Sequence, residues 1–143
     1  MTNFRMVVEF AGPQVSFQDP GRAGFMRFGV PASGPMDRRS AAIAVAALGL
    51  APDHPVVEVS RGGLRLVCDR GSVTYAIAGG GFIVETDGQK RSSWHVATLS
   101  AGQTLTVRPG PWGSWTYIAL DVEDGKRAMV VKQRAGGCPY VLE

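Results

Sequence analysis

The sequence predicts an all-β fold: a closed or nearly closed β-barrel with one covering helix near residues 37–49. Three observations carry this expectation. Nineteen glycines and nine prolines punctuate short apolar runs, the texture of many short strands joined by tight turns. Several runs alternate; in Thr104-Leu105-Thr106-Val107 the apolar residues fall on one face, as a half-buried strand requires. One segment differs: Asp37 to Leu50 is alanine-rich and free of proline, and alanine has the best helix propensity. Closure of the sheet would also protect many short strand edges.

Strands are expected at Arg5–Phe10, Val56–Val59, Leu64–Cys68, Val73–Ala78, Phe82–Thr86, His95–Leu99, Thr104–Val107, Trp115–Asp121 and Ala128–Lys132. Asp87-Gly88 is a tight-turn dipeptide with strand-like sequence before it. Ala101-Gly102 and Asp124-Gly125 also read as turns. In the helix, Gly49 suits a C-terminal stop, and Ser33 or Asp37 offers a side-chain oxygen to cap the first turn. Pro35 is acceptable in a first turn, where its missing N–H would be unpaired anyway. Ile43, Ala47 and Leu50 can share a face with Met36 at helical spacing. Gly79-Gly80-Gly81 lacks the following helix and the Lys-Ser/Thr of a phosphate loop, so it reads as a bend or bulge.

The 143 residues are expected to form a single domain, 1–143. At this size folding buries about two thirds of the surface of the unfolded chain. Fifteen basic and twelve acidic residues give a net charge of +3. The arginines are spread along the chain, and the only adjacent basic pairs are Arg38-Arg39, Lys90-Arg91 and Lys126-Arg127. A nucleic-acid surface calls for clustering, so no nucleic-acid partner is expected. No segment approaches the roughly 20 apolar residues that span a bilayer, and the N-terminus lacks a signal-peptide core. Cys68 and Cys138 lie far apart with no metal-ligand spacing, which suits free buried thiols in a reducing cytoplasm and no metal site.

Residues 16–37 read SFQDPGRAGFMRFGVPASGPMD, and propensity for regular structure does not explain them. Their glycines permit unusual backbone conformations or close approach of a ligand. A helix starting after Gly34 aims N–H groups at whatever sits above it, and anions are favoured there. Arg22 offers a planar fork for carboxylate, phosphate or carbamate-like groups. Asp19 and Asp37 can orient that fork or act as acid or base. The structural alternatives stand beside these roles. Asp19 can bond its own Asp-Pro-Gly turn, Arg22 can tie the loop to a helix carbonyl, and Asp37 can serve only as a cap. Elsewhere, His95 is expected to be partly buried and hydrogen-bonded, and His54, in a Pro-Asp-His-Pro turn, at the surface. Trp112 and Trp115 line a pocket or interface, or plug a barrel end. No nucleophile constellation is present, and no residue is singled out as catalytic.

The loop resembles the signature of the biotin-dependent carboxyltransferase-like family, of the allophanate hydrolase subunit 2 or 5-oxoprolinase type. Gln18-Asp19, Gly21-Arg22, Gly24, Gly29-Val30-Pro31, Ser33-Gly34 and Met36-Asp37 match that signature, with Ser16 in place of its leading threonine. Weaker agreement follows at Glu58, Gly63 to Leu66, Ala78-Gly79-Gly80, Asp87-Gly88, Trp94, Ala101-Gly102 and Tyr117 to Ala119. The resemblance implies a cyclophilin-like barrel, and here only the first of the family's two barrel halves. It implies a place in an ATP-dependent amide-hydrolysing or carboxylating assembly acting on 5-oxoproline or a urea- or allophanate-like substrate. The expected ligand is a small carboxylate- or urea-like molecule, with Gln18, Asp19, Arg22, Ser33, Gly34 and Asp37 as the binding set. The chain is expected to bind no cofactor directly, ATP or biotin serving the wider assembly. Its expected partner is a protein of related fold, or a second copy of itself. Val45 and Leu50 stand where the family carries asparagine, and Trp115 where it carries arginine. These departures motivate an alternative: a non-catalytic, stand-alone barrel acting as an interaction or regulatory module.

Overall fold

A computed structural model of the chain describes residues 4–122 and the backbone of residues 129–131. The strands are β1 (Arg5–Ala11), β2 (Ser16–Gln18), β3 (Val56–Ser60), β4 (Leu64–Arg70), β5 (Ser72–Ala78), β6 (Ile83–Thr86), β7 (Gln89–Ser92), β8 (His95–Ser100), β9 (Thr104–Arg108), β10 (Trp115–Leu120) and β11 (Met129–Val131). The helix α1 runs from Arg38 to Ala47, and a single 3-10 turn covers Met26–Phe28. All nine strands expected from the sequence are present. The expected strand at 128–132 is described only at residues 129–131, and Asp124-Gly125 and Cys138 lie outside the described residues.

The strands form two sheets, in the orders β11-β1-β4-β9-β6-β7 and β2-β3-β10-β5-β8. The pairs are antiparallel except β1 with β11. The expected closed barrel is therefore not completed by strand pairing among the described residues. Its physical substitute is visible at two of the edges. β2 is three residues long, and β7 is exposed throughout and carries Lys90 and Arg91; short or charged edge strands resist pairing with other chains without closure. Asp87 and Gly88 both have positive φ, 50° and 77°, in the two-residue turn between paired Thr86 and Gln89. That is the turn whose twist suits a hairpin.

Alternation along the strands sets two cores. Inward residues such as Met6, Leu66, Val84, Val107, Val59, Ile77, Leu99 and Ile118 form the larger one, with Phe82. The opposite face of the second sheet carries Val56, Ala78, Tyr117 and Ala119, and α1 covers it with Ala41, Ala44 and Val45. The helix therefore buries Ser40, Ala41, Ala44 and Val45; of the expected stripe only Leu50, half-buried, packs against this core. Met36 is 70% and Ile43 39% exposed, and Ala47 is exposed as well. Small residues let the helix backbone lie close to the sheet, so shape decided which stripe went inward. Cys68 is buried and free.

Candidate functional site

The register of the second sheet brings the site together. Ser16 is paired with Glu58 across β2 and β3, and Glu58 with Tyr117 across β3 and β10. Because Val57 and Val59 face the larger core, Glu58 faces outward beneath the start of α1. There its Oε2 accepts the Tyr117 hydroxyl at 2.9 Å and the Met36 N–H at 2.8 Å. The Tyr117 hydroxyl accepts the Asp37 N–H at 2.7 Å. Glu58 is 4% and Tyr117 0% exposed. Burial, first, and the neighbouring carboxyls of Glu58 and Asp37 hold the Tyr117 phenol well above its usual range, with the Asp37 N–H bond opposing them.

Asp37 is the helix cap. Its Oδ1 accepts the Ser40 N–H at 3.0 Å and its Oδ2 the Ser40 hydroxyl. The Ser40 hydroxyl and then its N–H hold the Asp37 carboxyl below the usual carboxylate range, against a smaller opposing effect of burial. The N–H groups of Met36, Asp37 and Ser40, which the sequence offered to an external anion, are thus taken up by Glu58, Tyr117 and Asp37. Pro35 is buried and precedes the cap rather than occupying the first turn.

The rest of the loop is held by a residue that sequence reading passed over. Arg38 donates from Nη1 to the Pro20 carbonyl at 2.7 Å and from Nη2 to the Ser33 carbonyl. One guanidinium therefore clasps both arms of the loop to the helix. The role assigned to Arg22 as a tie belongs to Arg38. Arg22 is exposed and contributes its backbone N–H to Ala32 O at 2.7 Å. Asp19 accepts the Gly21 N–H at 2.9 Å, the turn function expected as its structural alternative. Ser33 and Gly34 have φ of 54° and 94° and shape the return of the chain.

Between loop and helix lies a recess of roughly 90 Å³. Gln18, Asp19 and Arg38 contribute its polar lining, Ala41, Ala42, Val45 and Val56 much of its apolar wall, and His54 completes it. Of the expected binding set, Gln18 and Asp19 line this recess; Arg22, Ser33, Gly34 and Asp37 do not. His54 is half-buried rather than at the surface, and its Nε2 lies 3.0 Å from the Leu120 carbonyl. The sequence clue to His54 was its position just before β3, the strand carrying Glu58. No group of His, Cys, Asp and Glu that can hold a metal ion occurs among the described residues.

Neither the tryptophans nor His95 line the recess. Trp115 packs against the smaller core, whereas Trp112 is 58% exposed and its ring lies over Gly81. His95 is half-buried as expected: Nδ1 lies 2.6 Å from the Ser92 carbonyl and Nε2 3.0 Å from the Tyr75 hydroxyl. A carbonyl only accepts, so Nδ1 carries the hydrogen and Nε2 accepts from Tyr75. Burial pushes the imidazole below its ordinary value of about 6.5. Between the lowered and ordinary values the unfolded chain binds more protons, so this contribution to stability is complete above the ordinary value and is lost as pH falls through it. Melting temperature is expected to fall as pH drops below about 6.5, and less steeply in His95→Gln. Equal slopes in thermal melts of the two proteins would contradict this.

A family model described as carboxyltransferase domain, subdomain A and B, matches residues 28–131. Urea amidolyase of Saccharomyces cerevisiae is 33% identical over 114 residues, 79% of this chain and 6% of that protein. A 5-oxoprolinase subunit of Haemophilus influenzae is 26% identical over 107 residues, 75% of this chain and 34% of the relative. The solved structure of TTHA0988 superposes with a TM-score of 0.75 at 30% identity, over 80% of this chain and 23% of that one. The chain thus spans well under two thirds of these curated relatives. No helix among the described residues is long and apolar enough to cross a membrane.

Proposed function

We propose, from the premise that this chain belongs to the family of carboxyltransferase domains of subdomain A and B type, that it works as a carboxyltransferase-type unit of a larger assembly. The assembly would hydrolyse or carboxylate a small amide, 5-oxoproline or a urea- or allophanate-like compound, at the expense of ATP. A cyclophilin-like barrel is part of this reading. The observation that carries it is the placement of the loop. Residues 18–20 and Pro35 are held against α1 and enclose a recess of a size for a small planar amide.

In this reading Gln18 and Asp19 contact the ligand. Arg22, with its exposed guanidinium, meets a carboxylate where the ligand carries one. Ser33, Gly34 and Asp37 hold the backbone around it. The recess does not fit ATP or biotin: at roughly 90 Å³ it is far below the 300–1,000 Å³ of sites for larger ligands. Trp112 lies over Gly81, and the one Ser93 hydroxyl hydrogen is shared between the Gly79 and Gly80 carbonyls. In this reading ATP and biotin are held by partner proteins.

Purified chain, alone and with candidate partner proteins, is assayed for ATP turnover that depends on 5-oxoproline or urea. Turnover is expected with a partner and is expected to fall at least tenfold in Gln18→Ala. Absence of substrate-dependent turnover in every combination would reject the reading. A second reading, a non-catalytic interaction module, is favoured by one observation. Phe25, Met26, Phe28 and Met36 expose 50%, 72%, 66% and 70% of their surface, and large apolar side chains gathered in one exposed segment suit a protein interface. It predicts a stable complex, with a partner of related fold or a second copy, that shows no turnover.

A further inference from the structure

Resting on that reading of the recess, we propose that His54 is its specificity-determining residue, selecting ligands rich in N–H groups over free carboxylates. The ring is held from two sides. The His54 backbone N–H closes a turn onto Ala51 O at 2.9 Å, and the ring Nε2 meets Leu120 O at 3.0 Å. Leu120 O can only accept, so Nε2 carries the hydrogen and Nδ1 keeps its lone pair. Among the described residues Nδ1 has no hydrogen-bond partner, while the side chain lines the recess.

The remaining polar lining holds further acceptors beside the second Gln18 Nε2 hydrogen and the unspent N–H groups of Arg38. Gln18 Nε2 donates to Ser16 Oγ at 2.9 Å and Asp19 Oδ1 accepts from Gly21, which leaves Gln18 Oε1 and Asp19 Oδ2 as further acceptors. The one cation of the lining, Arg38, spends two of its five N–H donors on the Pro20 and Ser33 carbonyls. Acceptors and donors beside an apolar wall suit a compact ligand that carries both an N–H and a carbonyl, such as urea or a primary or cyclic amide. A carboxylate has no N–H to donate, so it leaves Nδ1 unpaired beside the apolar wall, and an unpaired polar group there is costly.

Urea, acetamide and acetate are each titrated into the chain with isotope-labelled histidine, following the His54 ring nitrogens. Urea and acetamide are expected to shift the Nδ1 signal saturably, and acetate to leave it unmoved. His54→Asn places an amide oxygen near the position of Nδ1, whereas His54→Phe places none; both lose the tether to Leu120. Acetamide binding is expected to weaken roughly threefold to tenfold in His54→Phe, the effect of one hydrogen bond, and to be largely retained in His54→Asn. Equal weakening in both variants, acetate binding as well as acetamide, or no amide binding at all would overturn the proposal. In the partner-supplemented ATP assay, an unchanged KM in His54→Phe overturns the role of His54 alone. Absence of turnover in the unmodified chain overturns the functional reading alone.

Discussion

Glu58→Leu is expected to lower the unfolding free energy by roughly 2–6 kcal/mol, taking about 1–3 kcal/mol for each of two orphaned donors. The donors are the Tyr117 hydroxyl and the Met36 N–H, both meeting Glu58 Oε2. Leucine fills the space but accepts neither. At roughly 2–5 °C per kcal/mol for a chain of this size, the melting temperature falls by about 4–30 °C. Glu58→Gln keeps an oxygen in place and is expected to cost less. In a double-mutant cycle with Tyr117→Phe, Glu58→Leu is expected to show a coupling of about 0.5–3 kcal/mol. Strict additivity would mean that the pair does not act as a unit.

Gly21→Ala is expected to abolish acetamide binding while moving the melting temperature by only a few degrees. Gly21 has a φ of +82°, and a Cβ there would lie 2.4 Å from Ala32 O and 2.7 Å from Ser33 O. Left-handed backbone alone costs an L-residue about 1–2 kcal/mol, and the atoms in the way are backbone that cannot rotate aside. The chain must open where Arg22 N–H meets Ala32 O, which releases the Asp19 side of the recess. Residues 19–29 are exposed, so little core is lost with them. Gly24→Ala is the control, with a φ of +87° but open space around its Cβ position. It is expected to bind at least tenfold more tightly than Gly21→Ala. Titration and thermal melts of the three proteins check both statements, and wild-type affinity in Gly21→Ala would contradict the first.

Much of the fold was legible because alternation and turn chemistry are local. β3, β9 and β10 announce themselves by pattern, and the family signature marked the loop. β2 and β7 were not foreseen. β2 has three half-buried residues, too few for a period. β7 is wholly exposed and owes its existence to the hairpin turn at Asp87-Gly88 rather than to apolar residues. The buried stripe of α1 was misjudged because hydrophobicity singled out Ile43 and Met36, whereas close approach to the sheet favoured Ala41, Ala44 and Val45.

At the site, Gln18 and Asp19, expected as binding residues, line one recess, and Asp37, a candidate cap in the sequence, caps α1. Arg38 and His54 were hidden because their roles depend on contacts between distant parts of the chain. Arg38 reaches back to Pro20, and His54 reaches forward to Leu120. No spacing along the chain encodes either contact. Glu58 was visible as a match but not as an anchor, since its function follows from strand register with Tyr117.

The most direct test of whether the loop serves a ligand is a crystal structure of the chain, with any copurifying partner, grown with acetamide or 5-oxoproline. The expected result is a ligand in the recess beside Gln18, with an N–H within about 3.2 Å of His54 Nδ1. A ligand bound elsewhere while the recess stays empty would contradict it, and would leave the loop as a structural signature alone.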